Sequence, residues 1–138
     1  MLLYLCLLLL PALAQAACKN ATAVVRFCDS VDANGNGDIT SEECDAVIQA
    51  LDDDGDGAVT VDEARKNGDP AFTDYDKDEI FRFLDRNKDG YFTTKDKDLI
   101  FGEADKNEDG RLSRREYTKF IREQCQTDKS TTTTDYYN

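Results

Sequence analysis

The sequence predicts an all-α fold of two duplicated halves, each with two short acidic loops joined by one shared helix. Segments of twelve residues, rich in Asp, Asn and Gly, begin at residues 32, 52, 85 and 105. Their starts are 20, 33 and 20 residues apart, so the arrangement returns after 53 residues, which indicates an internal repeat. Apolar residues at helical spacing precede and follow these segments.

The second loop, residues 52–63, has the sequence DDDGDGAVTVDE and fits D-x-[DN]-x-[DN]-G-x₅-E at every position. Calcium is a hard cation that takes six to eight oxygens, and a twelve-residue loop can supply them from positions 1, 3, 5, 7, 9 and 12. Gly57 permits the sharp turn because it has no Cβ. The pattern predicts these ligands: Asp52, Asp54, Asp56, the Ala58 carbonyl, Thr60 (directly or through water) and Glu63.

The other three loops repeat the same ligand positions. Residues 32–43, DANGNGDITSEE, offer Asp32, Asn34, Asn36, the Asp38 carbonyl, Thr40 and Glu43. Residues 85–96, DRNKDGYFTTKD, offer Asp85, Asn87, Asp89, the Tyr91 carbonyl, Thr93 and Asp96. Residues 105–116, DKNEDGRLSRRE, offer Asp105, Asn107, Asp109, the Arg111 carbonyl, Ser113 and Glu116.

These four loops resemble those of the EF-hand calcium-binding family, and the resemblance covers about residues 24–124. Position 8, which is apolar in that family, holds Ile39, Val59, Phe92 and Leu112. The resemblance implies an EF-hand domain that binds up to four Ca²⁺ ions.

The third loop departs from the pattern at position 12. Asp96 is one methylene shorter than the usual Glu, so we expect contact through one oxygen and the weakest calcium site. A smaller ligand number also suits Mg²⁺, which prefers six ligands at shorter distances. The second loop has four ligand carboxylates and should bind calcium most tightly.

Only eight residues separate the first loop from the second, and the third from the fourth. One helix must therefore leave one loop and enter the next, which holds the two loops about 15–20 Å apart. Loops of the same half cannot bridge each other, so the two halves must pair crosswise. We predict contacts between Val59 and Phe92 and between Ile39 and Leu112. On the second shared helix, Lys97 occupies a position where an apolar residue is expected.

Further signals mark the other helices. The first helix should cover about Ala21 to Val31 and the last about Ser113 to Gln124. Gly68 and Pro70 should end the helix after the second loop. Thr73 and Asp76 form a predicted capping box for the helix that follows.

The ends of the chain differ from the middle. Residues 1–16 are predicted to be a secretory signal peptide, because an apolar run ends in Ala14-Gln15-Ala16. The alternatives are an uncleaved anchor and a lipoprotein signal at Cys18. We expect a four-loop domain over 17–125, with halves 17–68 and 69–125, and a disordered Thr-rich tail over 126–138. The protein is therefore expected to be secreted and extracellular, without stable membrane insertion after cleavage.

Four cysteines remain after removal of the signal peptide, and an even number in a secreted chain suggests disulfides. We predict the pairs Cys18–Cys125 and Cys28–Cys44; the alternative is buried free thiols. Asn20-Ala21-Thr22 is a glycosylation sequon.

Charge and composition exclude several classes of function. The net charge of −12 argues against nucleic acid and anionic membranes as partners. The chain has no His, and its clustered carboxylates are all assigned to calcium, so we expect no enzyme activity. The single Met is Met1, which disfavours the Met-rich groove of a calcium sensor.

Three functions remain. The first is an extracellular protein that buffers or concentrates Ca²⁺, similar to the acidic secreted EF-hand proteins of shell-type mineral matrices, with mineral or extracellular matrix as its partner. The second is a calcium-stabilised protein-binding module, as dockerin modules are. The third is a calcium store in the lumen of the secretory pathway.

Overall fold

The computed structural model describes residues 18–125, which form six α-helices and one two-stranded sheet. The elements in chain order are α1 (Ala21–Val31), β1 (Asp38–Thr40), α2 (Ser41–Leu51), α3 (Val61–Asn67), α4 (Asp74–Leu84), α5 (Thr94–Ala104), β2 (Arg111–Ser113) and α6 (Arg114–Gln124). The all-α prediction is confirmed, with short strands only inside the loops. The predicted signal peptide and the predicted tail lie outside the described residues.

Each helix that leaves a loop begins at a capping box formed by loop residues. The position 9 hydroxyl accepts a hydrogen bond from the backbone near position 12, and the position 12 carboxylate accepts one from the backbone of position 9. These reciprocal bonds satisfy donors that a helix start otherwise leaves unpaired. The pairs are Thr40–Glu43, Thr60–Glu63, Thr93–Asp96 and Ser113–Glu116.

The start of α4 differs from its prediction in one respect. The Thr73 hydroxyl accepts a hydrogen bond from the Asp76 backbone, which is one half of the predicted capping box. The Asp76 side chain instead accepts a bond from Asn20 Nδ2 at 3.0 Å. Asn20 also caps α1, since its Oδ1 accepts from the Ala23 backbone. Asp76 therefore joins the start of α1 to the start of α4 and does not complete its own cap.

The two halves pair crosswise, as predicted. Strands β1 and β2 are antiparallel, with Ile39 opposite Leu112. Val59 and Phe92 form an isolated bridge through two backbone hydrogen bonds of 3.0 and 2.9 Å. The first loop thus pairs with the fourth and the second with the third. Helices α2 and α5 each run from one loop to the next, which confirms the shared helices.

The core lies where α1 packs against α4 and α6. Phe83 of α4 and Phe120 of α6 meet edge to face, with ring centroids 5.7 Å apart. Val24, Val59 and Ile121 are fully buried. The position 8 residues extend this core to both pairs of loops, so the loops are fixed to the helices through buried apolar contacts. No helix among residues 18–125 is long and apolar enough to cross a membrane.

One of the two predicted disulfides is present. Cys18 and Cys125 are bonded and tie the start of α1 to the end of α6. The predicted Cys28–Cys44 pair is wrong, because both residues are free. Both line a small apolar cavity with Val31, Ile39 and other core side chains, so they pack as small hydrophobic residues. Burial raises the pKa of both thiols, that of Cys44 to about 12, which keeps them protonated.

The Cys18–Cys125 bond should contribute strongly to stability because it spans 107 residues. Closing a loop of about 100 residues constrains the unfolded chain by roughly 4–5 kcal/mol. We therefore expect Cys125→Ser to lower the free energy of unfolding by several kcal/mol, measured by denaturant titration in excess calcium. Cys44→Ala keeps the bond and should lower it by only about 1 kcal/mol. Equal losses for the two variants would contradict this assignment.

Candidate calcium sites

Each of the four loops folds its first Asp back over its own backbone. In the first loop, Asp32 accepts hydrogen bonds from the backbones of Asn36 and Gly37 at 3.2 and 2.8 Å. Asp85 and Asp105 accept the equivalent pairs in their loops, while Asp52 accepts from Gly55 and Gly57. These bonds bend the loop into a ring and hold the position 1 carboxylate inside it.

The ligands at positions 3 and 5 are oriented by short local hydrogen bonds. In each loop, the position 3 side chain accepts from the backbone of position 5 at 3.1–3.3 Å. The position 5 side chain accepts from the backbone of position 7 at 2.9–3.0 Å. Such Asx turns are favoured by Asp and Asn, which explains why the same residue types serve the turn and the ligand set.

The position 12 carboxylate closes the ring. In the second loop, Glu63 Oε2 accepts from the backbones of Asp53 and Asp54 at 2.8 and 3.3 Å, and its Oε1 accepts from the Thr60 backbone at 2.9 Å. Glu43 and Glu116 make the same three bonds in their loops. Both carboxylate oxygens therefore already face the interior of the loop.

Asp96 closes the third loop with fewer bonds. Its Oδ1 accepts from the Asn87 backbone at 3.1 Å and its Oδ2 from the Thr93 backbone at 3.0 Å. The backbone of Arg86, at position 2, donates to the Leu84 carbonyl instead. The shorter side chain thus reaches one N–H fewer than Glu does. It is also fully buried, whereas the position 12 Glu residues are partly exposed.

The structure brings the predicted carboxylates together in three loops. In each of these, one oxygen from each of three acidic residues lies within 4.8 Å of the others, and the groups are Asp52–Asp54–Glu63, Asp85–Asp89–Asp96 and Asp105–Asp109–Glu116. Asp56 is not a member of the second-loop group. In the first loop, positions 3 and 5 are Asn34 and Asn36, so amide oxygens replace two of the carboxylates. Such oxygen clusters fit a hard divalent cation such as Ca²⁺.

Comparison with known families agrees with this geometry. The family model of an EF-hand domain pair matches residues 26–63, and the model of an EF hand matches residues 97–121. The two matches support an EF-hand calcium-binding protein. The third loop lies outside both matched ranges. No curated protein and no solved structure matches the chain significantly.

The four position 9 residues and two of the position 7 residues have structural roles as well. The position 7 residues are Asp38, Ala58, Tyr91 and Arg111, and Asp38 and Arg111 also form an ion pair at 3.5 Å across the sheet. The hydroxyl oxygens of Thr40, Thr60 and Ser113 accept from the backbone of position 12, and that of Thr93 accepts from Lys95. A hydroxyl oxygen that accepts one bond keeps a second lone pair for an ion or a water.

Crowding of carboxylates is visible in the pKa values of the second loop. The Gly57 backbone N–H lowers the pKa of Asp52, and the Thr60 backbone N–H lowers that of Glu63. The Asp56 backbone N–H lowers the pKa of Asp54, but desolvation and the carboxyls of Asp56 and Asp52 together outweigh this bond. The net effect is a raised pKa for Asp54. In the third loop, burial raises the pKa of Asp85.

Two residues near the third loop were not recognised as structural anchors from the sequence. Arg86 donates to Glu103 and Gln124 at 2.8 and 3.0 Å and lies against the Phe83 and Phe120 rings, which fixes the third loop to α5 and α6. Position 2 of the loop has no ligand role, so the loop pattern does not predict a structural role for Arg86. Lys97 is buried in α5, and its signal was a charge on an apolar helix position.

Removal of calcium should lower the melting temperature substantially. When the free calcium concentration is a hundred times the dissociation constant of one site, binding at that site adds about 2.7 kcal/mol to the free energy of unfolding. For a domain of about 100 residues that corresponds to roughly 10–20 °C. We expect circular dichroism melts in excess chelator to show at least this decrease, and added calcium to reverse it. Identical melts with and without chelator would contradict the assignment of these loops as calcium sites.

Proposed function

We propose that this EF-hand protein is secreted and non-catalytic, and that it buffers or concentrates Ca²⁺ outside the cell. The main support is that four acidic loops lie in one domain whose two ends are joined by Cys18–Cys125. Disulfides persist in oxidising compartments such as the extracellular space. The apolar segment at residues 2–14, followed by Ala14-Gln15-Ala16, supports export by a signal peptide.

Buffering fits the charge of the protein. Four Ca²⁺ ions carry eight positive charges, which would change the net charge of −12 to −4. Extracellular modules bind calcium with dissociation constants of roughly 10⁻⁴–10⁻³ M, so four such sites respond to the high calcium levels outside cells. The similarity to acidic EF-hand proteins of mineral matrices makes mineral or extracellular matrix the partner that we propose.

A second candidate function is a calcium-stabilised protein-binding module. An open apolar cavity of about 170 Å³ lies between α1, α2, α3 and α4, with Phe27, Val47, Phe72 and Ile80 among its lining residues. Val59 and Phe92, from position 8 of the second and third loops, also line it. Calcium binding in these loops would therefore support the cavity. A pull-down of extracellular proteins with and without calcium separates this function from buffering.

The proposal is tested by expressing residues 1–138 in a secreting eukaryotic cell. We expect the protein in the medium, with an N-terminus at Ala17, and calorimetry should then find up to four bound Ca²⁺ ions. A chain that begins at residue 17 after an initiator Met should stay inside the cell. Retention of uncut residues 1–138 in the cell would contradict secretion, and an absence of calcium binding would contradict buffering.

The second loop should bind calcium most tightly and the third most weakly, with the third favouring Mg²⁺. Support comes from Asp96, which makes one bond fewer than the equivalent Glu residues. Loss of groups that merely support a metal ligand costs 10–100-fold in affinity, so we expect loss of a position 12 ligand to cost at least about 100-fold.

Calorimetric titration of Glu63→Ala and Asp96→Ala with Ca²⁺ and with Mg²⁺ measures this order. Glu63→Ala should remove the tightest calcium step, and Asp96→Ala the weakest step together with Mg²⁺ binding. The order is wrong if Asp96→Ala removes the tightest step and Glu63→Ala the weakest.

A further inference from the structure

Lys97 is a buried lysine that supplies no calcium ligand. It lies one residue after Asp96, in the first turn of α5, and its side chain is 10% exposed. Its ammonium group donates to Asp45 Oδ1 at 2.7 Å and to Ser41 Oγ at 2.8 Å, and both acceptors lie in the first half of α2. A buried charge is costly unless it is paired in this way.

The position of this ion pair in the chain is informative. Ser41 and Asp45 flank Glu43, the last ligand of the first loop, while Lys97 follows the last ligand of the third loop. The sheet joins the first loop to the fourth, the Val59–Phe92 bridge joins the second to the third, and the shared helices join the loops within each half. The ion pair connects the start of α2, the helix that leaves the first loop, to the start of α5, the helix that leaves the third loop. None of those other elements joins these two helix starts directly.

We propose that Lys97 is a positioning residue that couples calcium binding in the first loop to calcium binding in the third. The proposal rests on occupancy of both loops by calcium. Glu43 and Asp96 each belong both to an ion site and to the first turn of the helix that leaves it. An ion that draws either carboxylate inward therefore also sets the position of that turn.

The ion pair can form only when both first turns are in place. If either turn is displaced, Lys97 remains buried without its partner, which is strongly unfavourable. An ion in one loop therefore favours the arrangement that the other loop needs, and by linkage the effect is reciprocal. An apolar residue at position 97 could pack between the same helices, but it would not impose this geometric condition.

Tyr91 provides a readout for the third loop alone. Terbium(III) binds oxygen-rich calcium sites and emits light when a tyrosine beside the ion is excited. Tyr91 is at position 7 of the third loop, where the other loops have Asp38, Ala58 and Arg111. Terbium emission at increasing concentrations thus reports the affinity of the third loop, and loss of the signal in Tyr91→Phe verifies its origin.

The experiment blocks ion binding in the first loop with Glu43→Gln and measures the effect on terbium binding in the third loop. The same measurement is made in the otherwise unchanged protein and in variants that carry a second substitution. In the otherwise unchanged protein, we expect this block to weaken terbium binding in the third loop by at least about fivefold, a typical coupling between sites. In the Lys97→Met and Asp45→Asn backgrounds, the same block should change it by less than about twofold. Lys119→Met, which removes the ion pair of Lys119 with Glu123 on α6, is the matched control and should leave the full effect of the block.

Two results overturn the proposal, and they have different meanings. Suppose that Glu43→Gln weakens terbium binding in the third loop equally in the Lys97→Met, Asp45→Asn and Lys119→Met backgrounds. The coupling then does not pass through Lys97, while the assignment of the loops as calcium sites is unaffected. If Tyr91 excites no terbium emission even in the unchanged protein, the third loop is not an ion site, and the coupling falls with it. Asp45→Asn replaces a partly exposed side chain by one of nearly the same shape, so this variant should fold. Its circular dichroism spectrum checks that the comparison is made on folded protein.

Discussion

The fold depends on the carboxylate at position 12 of each loop, because that one group closes the ion site and starts the next helix. Glu43, Glu63 and Glu116 each accept two backbone hydrogen bonds from the start of the loop and one from position 9. The bond from position 9 is half of the capping box that begins the exiting helix. The shape of the site and the direction of the helix therefore cannot vary independently, and binding of an ion acts directly on helix packing.

The shortness of the shared helices determines how the four sites are arranged. Helices α2 and α5 each have eleven residues and place the two loops of one half at opposite ends. The loops must then find partners in the other half, which they do through Ile39–Leu112 and Val59–Phe92. Because the position 8 residues are also core residues, the halves cannot separate without exposing apolar surface. The duplicated halves thus share one core.

The parts of this structure that could be predicted from the sequence are those governed by local rules. Helix bounds and crosswise pairing both follow from the chemistry of the loops and from the length of the shared helices. The Cys28–Cys44 prediction failed because the spacing of cysteines does not distinguish a cross-link from two thiols packed in an apolar cavity. The prediction of a complete capping box at Thr73 was wrong in its second half. The Asp76 side chain accepts a hydrogen bond from Asn20, 56 residues away, and such long-range bonds leave no local pattern in the sequence.

Lys97 shows how a departure from a pattern can be informative. On an amphipathic helix, a charged residue on the apolar face is either an error in the assumed face or a residue with a specific partner. The helix is present as predicted and Lys97 is buried in it, so the second explanation holds, and Asp45 and Ser41 are the partners. In a chain with a net charge of −12, most carboxylates repel one another until cations arrive. The buried ammonium of Lys97, held between the starts of α2 and α5, offsets this repulsion there through its ion pair with Asp45.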